Sequence, residues 1–436
     1  MEKFWFRTLL VVVVICTTGS VQKALGIEQG ESSSETRSLA ELLDRPKLSG
    51  NWGGLRDDLA DNGITINIDA LQSYQGVLHG GVEKNWKYGG SIDYEFRFDF
   101  QKMGLWPGAF IDVRVEHQFG EFINSDTGSI LATNADGFFP LPDYRELTVS
   151  KLVFTQFLSE SFGIILGKID TLDGDNNHFA GGRGKENFMN QNFVLNPVPL
   201  RTVPYSSLGA GLVFVLPDVH AKNPAMLSMM ALGSNGQPNT AGWDDDFEDG
   251  TTYTVEYGQP TNFFNLPGKQ LFGATYSNKD YTALDQDRRL ILRTLLGLDT
   301  LREDEGSWSF YYNFHQYLFT EENDETQGLG VFGRLGFADD ETHPIEDFYS
   351  IGLGGKGILE GRDNDRFGVG YYHIGLSDEL GTIISNRFGD SDGFEVFYNI
   401  EITKSLHITP DFQIINPSNE SRDTAYIAGF RVKIDF

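Results

Sequence analysis

Much of the chain alternates, apolar then polar, one residue at a time. Ile92, Tyr94, Phe96, Phe98 and Phe100 take one side of a stretch whose other side is Asp93, Glu95, Arg97, Asp99 and Gln101. Ala109, Ile111, Val113 and Val115 oppose Phe110, Asp112, Arg114 and Glu116 in the same way. So do Trp308, Phe310, Tyr312 and Phe314 against Ser309, Tyr311, Asn313 and His315, and Phe394 to Ile402 against Glu395 to Glu401. The chain even ends in this rhythm. Tyr426, Ala428, Phe430, Val432, Ile434 and Phe436 oppose Gly429, Arg431, Lys433 and Asp435, with Ile427 the single exception. A period of two predicts strands with one apolar and one polar face. The first begins at Ile64. Before it, Leu55 and Leu59 lie four apart and Asn62-Gly63 is a helix stop, so one short helix precedes the strands.

What the apolar faces touch follows from the opposite faces. These carry charges of both signs in strand after strand, while aromatics collect on the apolar side. A barrel in lipid has that pattern: apolar residues outward, an aqueous lumen, aromatic girdles. A closed barrel also satisfies every backbone group without an open edge. Residues 64–436 divide into about 16 strands of ~10 residues with their connections. Long connections are expected near residues 119–143, 171–206, 233–251 and 278–288. The predicted fold is therefore all-β, a transmembrane antiparallel barrel with a short N-terminal helical segment.

The first residues change the picture of where the protein goes. Lys3 and Arg7 flank an apolar run, Thr8 to Cys16, which is too short to span a bilayer and fits the core of a secretory signal. Ala24-Leu25-Gly26 offers small residues for cleavage. The expected organisation is a signal over 1–26, a polar segment with short helices over 27–63, and the barrel over 64–436. Cys16 is the only cysteine, so the exported chain would use no disulfides and must be held together by one large cooperative unit. The formal charge is −28, and removing residues 1–26, a net +2, leaves about −30. That balance excludes nucleic acid as a partner. Much of the acid sits in loop-like clusters such as WDDDFEDG and TEENDETQG, where solvation explains it.

Several motifs carry a family resemblance. LSGNWGGLRDDLADNGI (Leu48 to Ile64), GLGVFGRLGFADDETHP (Gly328 to Pro344), GLGGKGILEGRDNDRFGVGY (Gly352 to Tyr371), TPDFQIINP (Thr409 to Pro417) and the closing GFRVKIDF resemble the carbohydrate-selective porins of Gram-negative outer membranes, the OprB type. GKIDTLDGDNNHF (Gly167 to Phe179) and NFVLNP are looser matches. The resemblance implies a 16-stranded barrel through which glucose and other small sugars diffuse. It gives the terminal Phe436 a second reading, as the signal read by the barrel-assembly machinery. Lipid and lipopolysaccharide would surround the barrel, as a monomer or a homotrimer.

Selectivity in such a pore comes from width, charge and hydrogen-bonding groups on the lumen wall. The polar faces nominate Arg97 with Glu95, and Arg114 with Glu116. Arg334 is nominated too, because Gly333 and Gly336 leave room for a long side chain. Lys168 and Asp170 lie two apart, hence on one face, although Ile164 and Leu166 share their parity. Arginine forks and carboxylates across a constriction could hold vicinal sugar hydroxyls; the resemblance favours Arg97, Arg114 and Arg334. The bland alternative is that these are wall charges paired with one another. Tyr311 and Phe397 could stack on sugar faces or simply pack under an inward loop. No cofactor or metal is expected: TLDGDNNH lacks the spacing of a calcium loop, and no two histidines stand at zinc spacing. Three other readings stay open: a general or cation-preferring porin, a barrel enzyme, and a barrel plugged by its N-terminal helix. The enzyme reading has no GxSxG motif in its favour.

Overall fold

A computed structural model describes residues 41, 43–140, 147–174, 176–217 and 223–436. The expected signal over 1–26 lies outside the described residues. The chain runs through α1 (Leu55–Asp61) into sixteen strands: β1 (Ile64–His79), β2 (Trp86–Asp99), β3 (Ala109–Gly120), β4 (Thr148–Ser159), β5 (Phe162–Asp170), β6 (Ser206–Leu216), β7 (Ala225–Gly233), β8 (Thr251–Phe263), β9 (Leu266–Thr282), β10 (Glu303–Thr320), β11 (Gly328–Ala338), β12 (Ile345–Lys356), β13 (Arg366–Leu376), β14 (Ser391–Thr403), β15 (Leu406–Asn416) and β16 (Ala425–Asp435).

Each strand pairs antiparallel with the next, and β1 closes on β16. The seam runs in register from Asp69 opposite Asp435 to Gly76 opposite Ala428. That is why the chain stays regular to its end: the last strand is half of the closing seam. Phe436 N–H donates to the Ile68 carbonyl at 2.8 Å, and Leu48 N–H to the Asp435 carbonyl at 2.7 Å. Arg56 of α1 reaches the Phe436 carbonyl at 2.9 Å, so the helix is bound at the seam's foot.

Connections at that end are short, two of them being 160–161 and 264–265. At the other end they include 121–147, 171–205, 234–250, 283–302 and 377–390. Short turns mark the periplasmic side of such barrels and long loops the exterior. The fourth long connection lies further along than the sequence indicated, because β9 continues to Thr282. The outer surface carries the aromatics read from the pattern: Tyr74 stacks on Trp86 at 5.1 Å, and Phe272 on Tyr312 at 4.9 Å.

Two long connections fold inward instead of outward. The inward loop of 171–205 lies across the barrel, and residues 121–140 pack beside it: Ala135 N–H donates to the Met189 carbonyl and Gln191 N–H to the Ala132 carbonyl. Phe179, Phe188 and Phe193 of the inward loop form an aromatic core with Phe332, Phe348, Tyr372 and Phe397 on the inner face of β11 to β14. Glycines on the inner wall make room for it. A Cβ on Gly330 would stand 2.2 Å from the Phe179 ring, and one on Gly370 2.5 Å from Phe193. Ile427, the exception in the last strand, packs inward with Val77, Ile123 and Ile415 beneath the second inward connection.

Candidate functional site: a charged constriction beneath the inward loop

The segment GGRGKEN (Gly181 to Asn187) carries the inward loop past the wall of β1 to β3 and β16. Arg183 stands at φ +57, a left-handed conformation between Gly182 and Gly184. This bends the chain so that successive charged side chains fan out toward different strands. Arg183 bonds Glu116 on β3, and its Nη1 lies 2.8 Å from Asp170 at the end of β5. Lys185 Nζ lies 2.8 Å from Asp69 and 2.6 Å from Asp93. Glu186 takes Lys433 at 2.7 Å, with Arg366 at 3.5 Å.

Arg114 on β3 is the hub on the facing side. Its Nε and Nη2 donate to Glu95 Oε1 at 2.9 and 2.6 Å, and its Nη1 to Asp170 and Asp173 at 2.7 and 2.8 Å. Glu95 and Arg114 sit opposite each other in the β2–β3 ladder, which brings the two predicted residues together directly. Lys151 completes the arrangement with a 2.8 Å bond to Asp173. Arg114, Glu95 and Asp173, with Arg183, Lys185, Glu186, Asn176, Asn177 and His178, line a cavity of about 550 Å³.

Electrostatics in the loop follow the pairing. Burial alone would lower Lys185, but Asp93 and Asp69 outweigh it and hold its ammonium above the usual lysine range. Burial would raise Glu186; Lys433 and Arg366 outweigh it and hold the carboxyl at about 2. Asp136 shows the opposite balance. Burial pushes its carboxyl up to about 7, and the hydrogen bond from Ser91 offsets this only in part.

The remaining predicted residues divide. Glu116 faces inward but is covered by Arg183 and Tyr205, whose hydroxyl bonds its second oxygen. Arg97 also faces inward, near the short-turn end; its side chain is 55% exposed and its guanidinium lies 4.6 Å over the Phe110 ring, loosely paired with Asp112 at 3.8 Å. Two expectations change. Arg334 does not face the water-filled space: it is fully buried and donates to the backbone carbonyls of Phe193, Ala180 and Val194. An inward loop must have its carbonyls satisfied, and Arg334 does this from the wall. Lys168 and Asp170 do not share a face. Lys168 Nζ donates to the Pro238 and Thr240 carbonyls in the 234–250 connection. Asp170 ends its strand, caps the following turn and points to Arg114 and Arg183.

Sequence reasoning did not find Arg183, Lys185, Glu186 or Lys151. The available signal was three charged residues set among glycines in an expected long connection. Phe397 packs against Phe188 at 4.8 Å, under the loop.

The carbohydrate-selective porin model of the OprB family matches residues 83–436. This chain belongs to that family. Porin B of Pseudomonas aeruginosa is 22% identical over 424 residues, covering 89% of this chain and 91% of that protein. The high-pH structure of Pseudomonas putida OprB superposes with a TM-score of 0.77 at 18% identity, covering 90% of this porin and 99% of that chain. The low-pH structure of the same protein gives 0.57 at 15% identity, with the same coverage. The porin is thus an outer-membrane channel for carbohydrates in a Gram-negative envelope, built as a closed 16-stranded barrel.

Proposed function

We propose that glucose and other small sugars cross this porin by passive diffusion, one at a time, past Arg114, Glu95, Asp173 and Lys151 on one side and the inward loop on the other. The carrying observation is the alternation of guanidinium, carboxylate, ammonium and amide groups around a 550 Å³ space. Vicinal hydroxyls are donors and acceptors side by side, and such a wall offers both. The near balance of charges there argues against a strong ionic preference, in spite of the −28 on the whole chain. Passage needs no bond to be made or broken, and we assign the protein no chemical step. Residues 1–26 serve as a cleaved secretory signal, residues 27–63 lead into the barrel, and Phe436 is read by the assembly machinery. Lipopolysaccharide packs on the outer face, and the barrel works as a monomer or a homotrimer.

Single-channel conductance of the purified protein in a planar bilayer, with glucose titrated into the bath, tests the reading. Saturable block at millimolar glucose is expected, weakened in Arg114→Gln. An open conductance indifferent to glucose would leave a general porin.

A further inference from the structure

The lumen below the loop is chemically two-sided. A second cavity, about 870 Å³, runs from the loop toward the short-turn end along the inner faces of β3 to β10. Along β4 to β7 Ile165, Met226 and Met230 line it with part of their surface open, beside the buried Val153 and Val213 and the polar Thr155 and Ser228. The adjoining β8 to β10 carry Glu256, Lys269, Tyr311 and His315, with the Tyr311 hydroxyl 2.8 Å from Glu256. The strands show why. Ile164-Ile165-Leu166 on β5 and Leu212 to Leu216 on β6 are apolar on both faces, and on β7 Met226 and Met230 face inward on either side of Ser228, so apolar groups point into the lumen as well as to lipid. A porin lumen is ordinarily polar. Packing under the loop accounts for the upper part: Val203 covers Val153, Ile169 and Leu232, and Ile165 and Met230 pack against the same cluster with part of their surface left open. Lower down, Met226 is 48% exposed while lining the cavity.

We propose that this cavity is a subsite for glycosides with a small apolar aglycone, the aglycone lying on Met226 and Met230 and the sugar on Tyr311 and Glu256 beside them. The inference deepens the sugar-channel reading and rests on it. Cavities of roughly 300–1,000 Å³ lined by apolar groups with a few placed polar ones accommodate ligands larger than a hexose. An aryl ring can shed water against the two methionines without giving up the hydroxyl contacts beside them.

The test compares glucose with phenyl β-glucoside as blockers of single-channel current, in the wild type and in the Met226→Gln/Met230→Gln variant. In the wild type, phenyl β-glucoside should half-block at roughly a tenfold lower concentration than glucose, the return on burying about 55 Å² of apolar surface. In the variant that advantage should fall below about twofold while glucose block is unchanged. Equal potency of the two solutes in the wild type overturns the subsite and leaves the sugar reading standing. An advantage that survives in the variant also overturns it. No block by either solute overturns the sugar reading itself.

Discussion

The two sides of the lumen are built by opposite means. From β11 to β14 the inner wall is thinned: glycines stand where side chains would, and the inward loop fills the space with Phe179, Phe188 and Phe193. From β3 to β9 the inner wall has glycines as well, Gly211 and Gly258 among them, but no loop aromatics fill the space in front of them and a cavity of about 870 Å³ stays open. The difference teaches how one barrel of uniform backbone makes a narrow, off-centre passage. The packed side is a hydrophobic core inside a membrane protein, with the same intolerance of volume change as any core. The open side is surface, where substitutions alter what passes rather than whether the barrel holds.

The largest effect should come from breaking the buried ion pairs that hold the inward loop to β1 and β2. Lys185→Met leaves Asp69 and Asp93 facing each other with their buried partner removed, a loss of roughly 3–5 kcal/mol. Heat-modified electrophoretic mobility should show a lower unfolding temperature. Arg334→Met should follow closely, because three loop carbonyls lose a charged donor at roughly 1.5–3 kcal/mol per bond; the same assay should fall, and channel noise should rise as the loop loosens. Gly370→Val comes next, overpacking the Phe193 contact at roughly 1–3 kcal/mol.

A pH effect of intermediate size belongs to the second inward connection. Folded Asp136 keeps its proton up to about pH 7, whereas the unfolded chain releases it near 3.8. Stability from this group is therefore present below pH 4 and is lost as pH rises to 7, by at most about 4 kcal/mol. Asp136→Asn should flatten that slope in a melting series from pH 4 to 8. The smallest effect is expected at the exposed short-turn end of β2. Arg97→Gln removes an exposed charge and should leave the melting temperature unchanged within about 0.5 kcal/mol, while the reversal potential in a salt gradient shifts toward cations.

The fold was legible because lipid imposes a simple rule on every strand, and Ile92 to Phe100 or Tyr426 to Phe436 state it without interference. The pairing of Glu95 with Arg114 was half legible, since both lie on polar faces of neighbouring strands. What alternation could not show was the path of 171–205. Arg183 and Lys185 owe their positions to glycine-permitted bends, not to a strand period. Arg334 has the parity of a lumen residue and is one geometrically, yet the loop that covers it comes from 140 or so residues earlier in the chain. Ile427 and the doubly apolar stretches of β5 and β6 broke the pattern, and each break marks a side chain packed against or exposed in the lumen.

The most direct measurement of the two-sided lumen uses the absence of cysteine after Cys16. Single cysteines would be placed on inner-wall positions of each side, Thr155→Cys and Ser228→Cys on the open side and Ser350→Cys on the packed side. A bulky water-soluble thiol reagent would then be added while current is recorded. Thr155 and Ser228 line the open cavity, and Ser350 is buried under the loop. The account predicts rapid modification with partial block at the first two and no reaction at the third. Equal reaction at all three would contradict it, because water would then reach both walls alike.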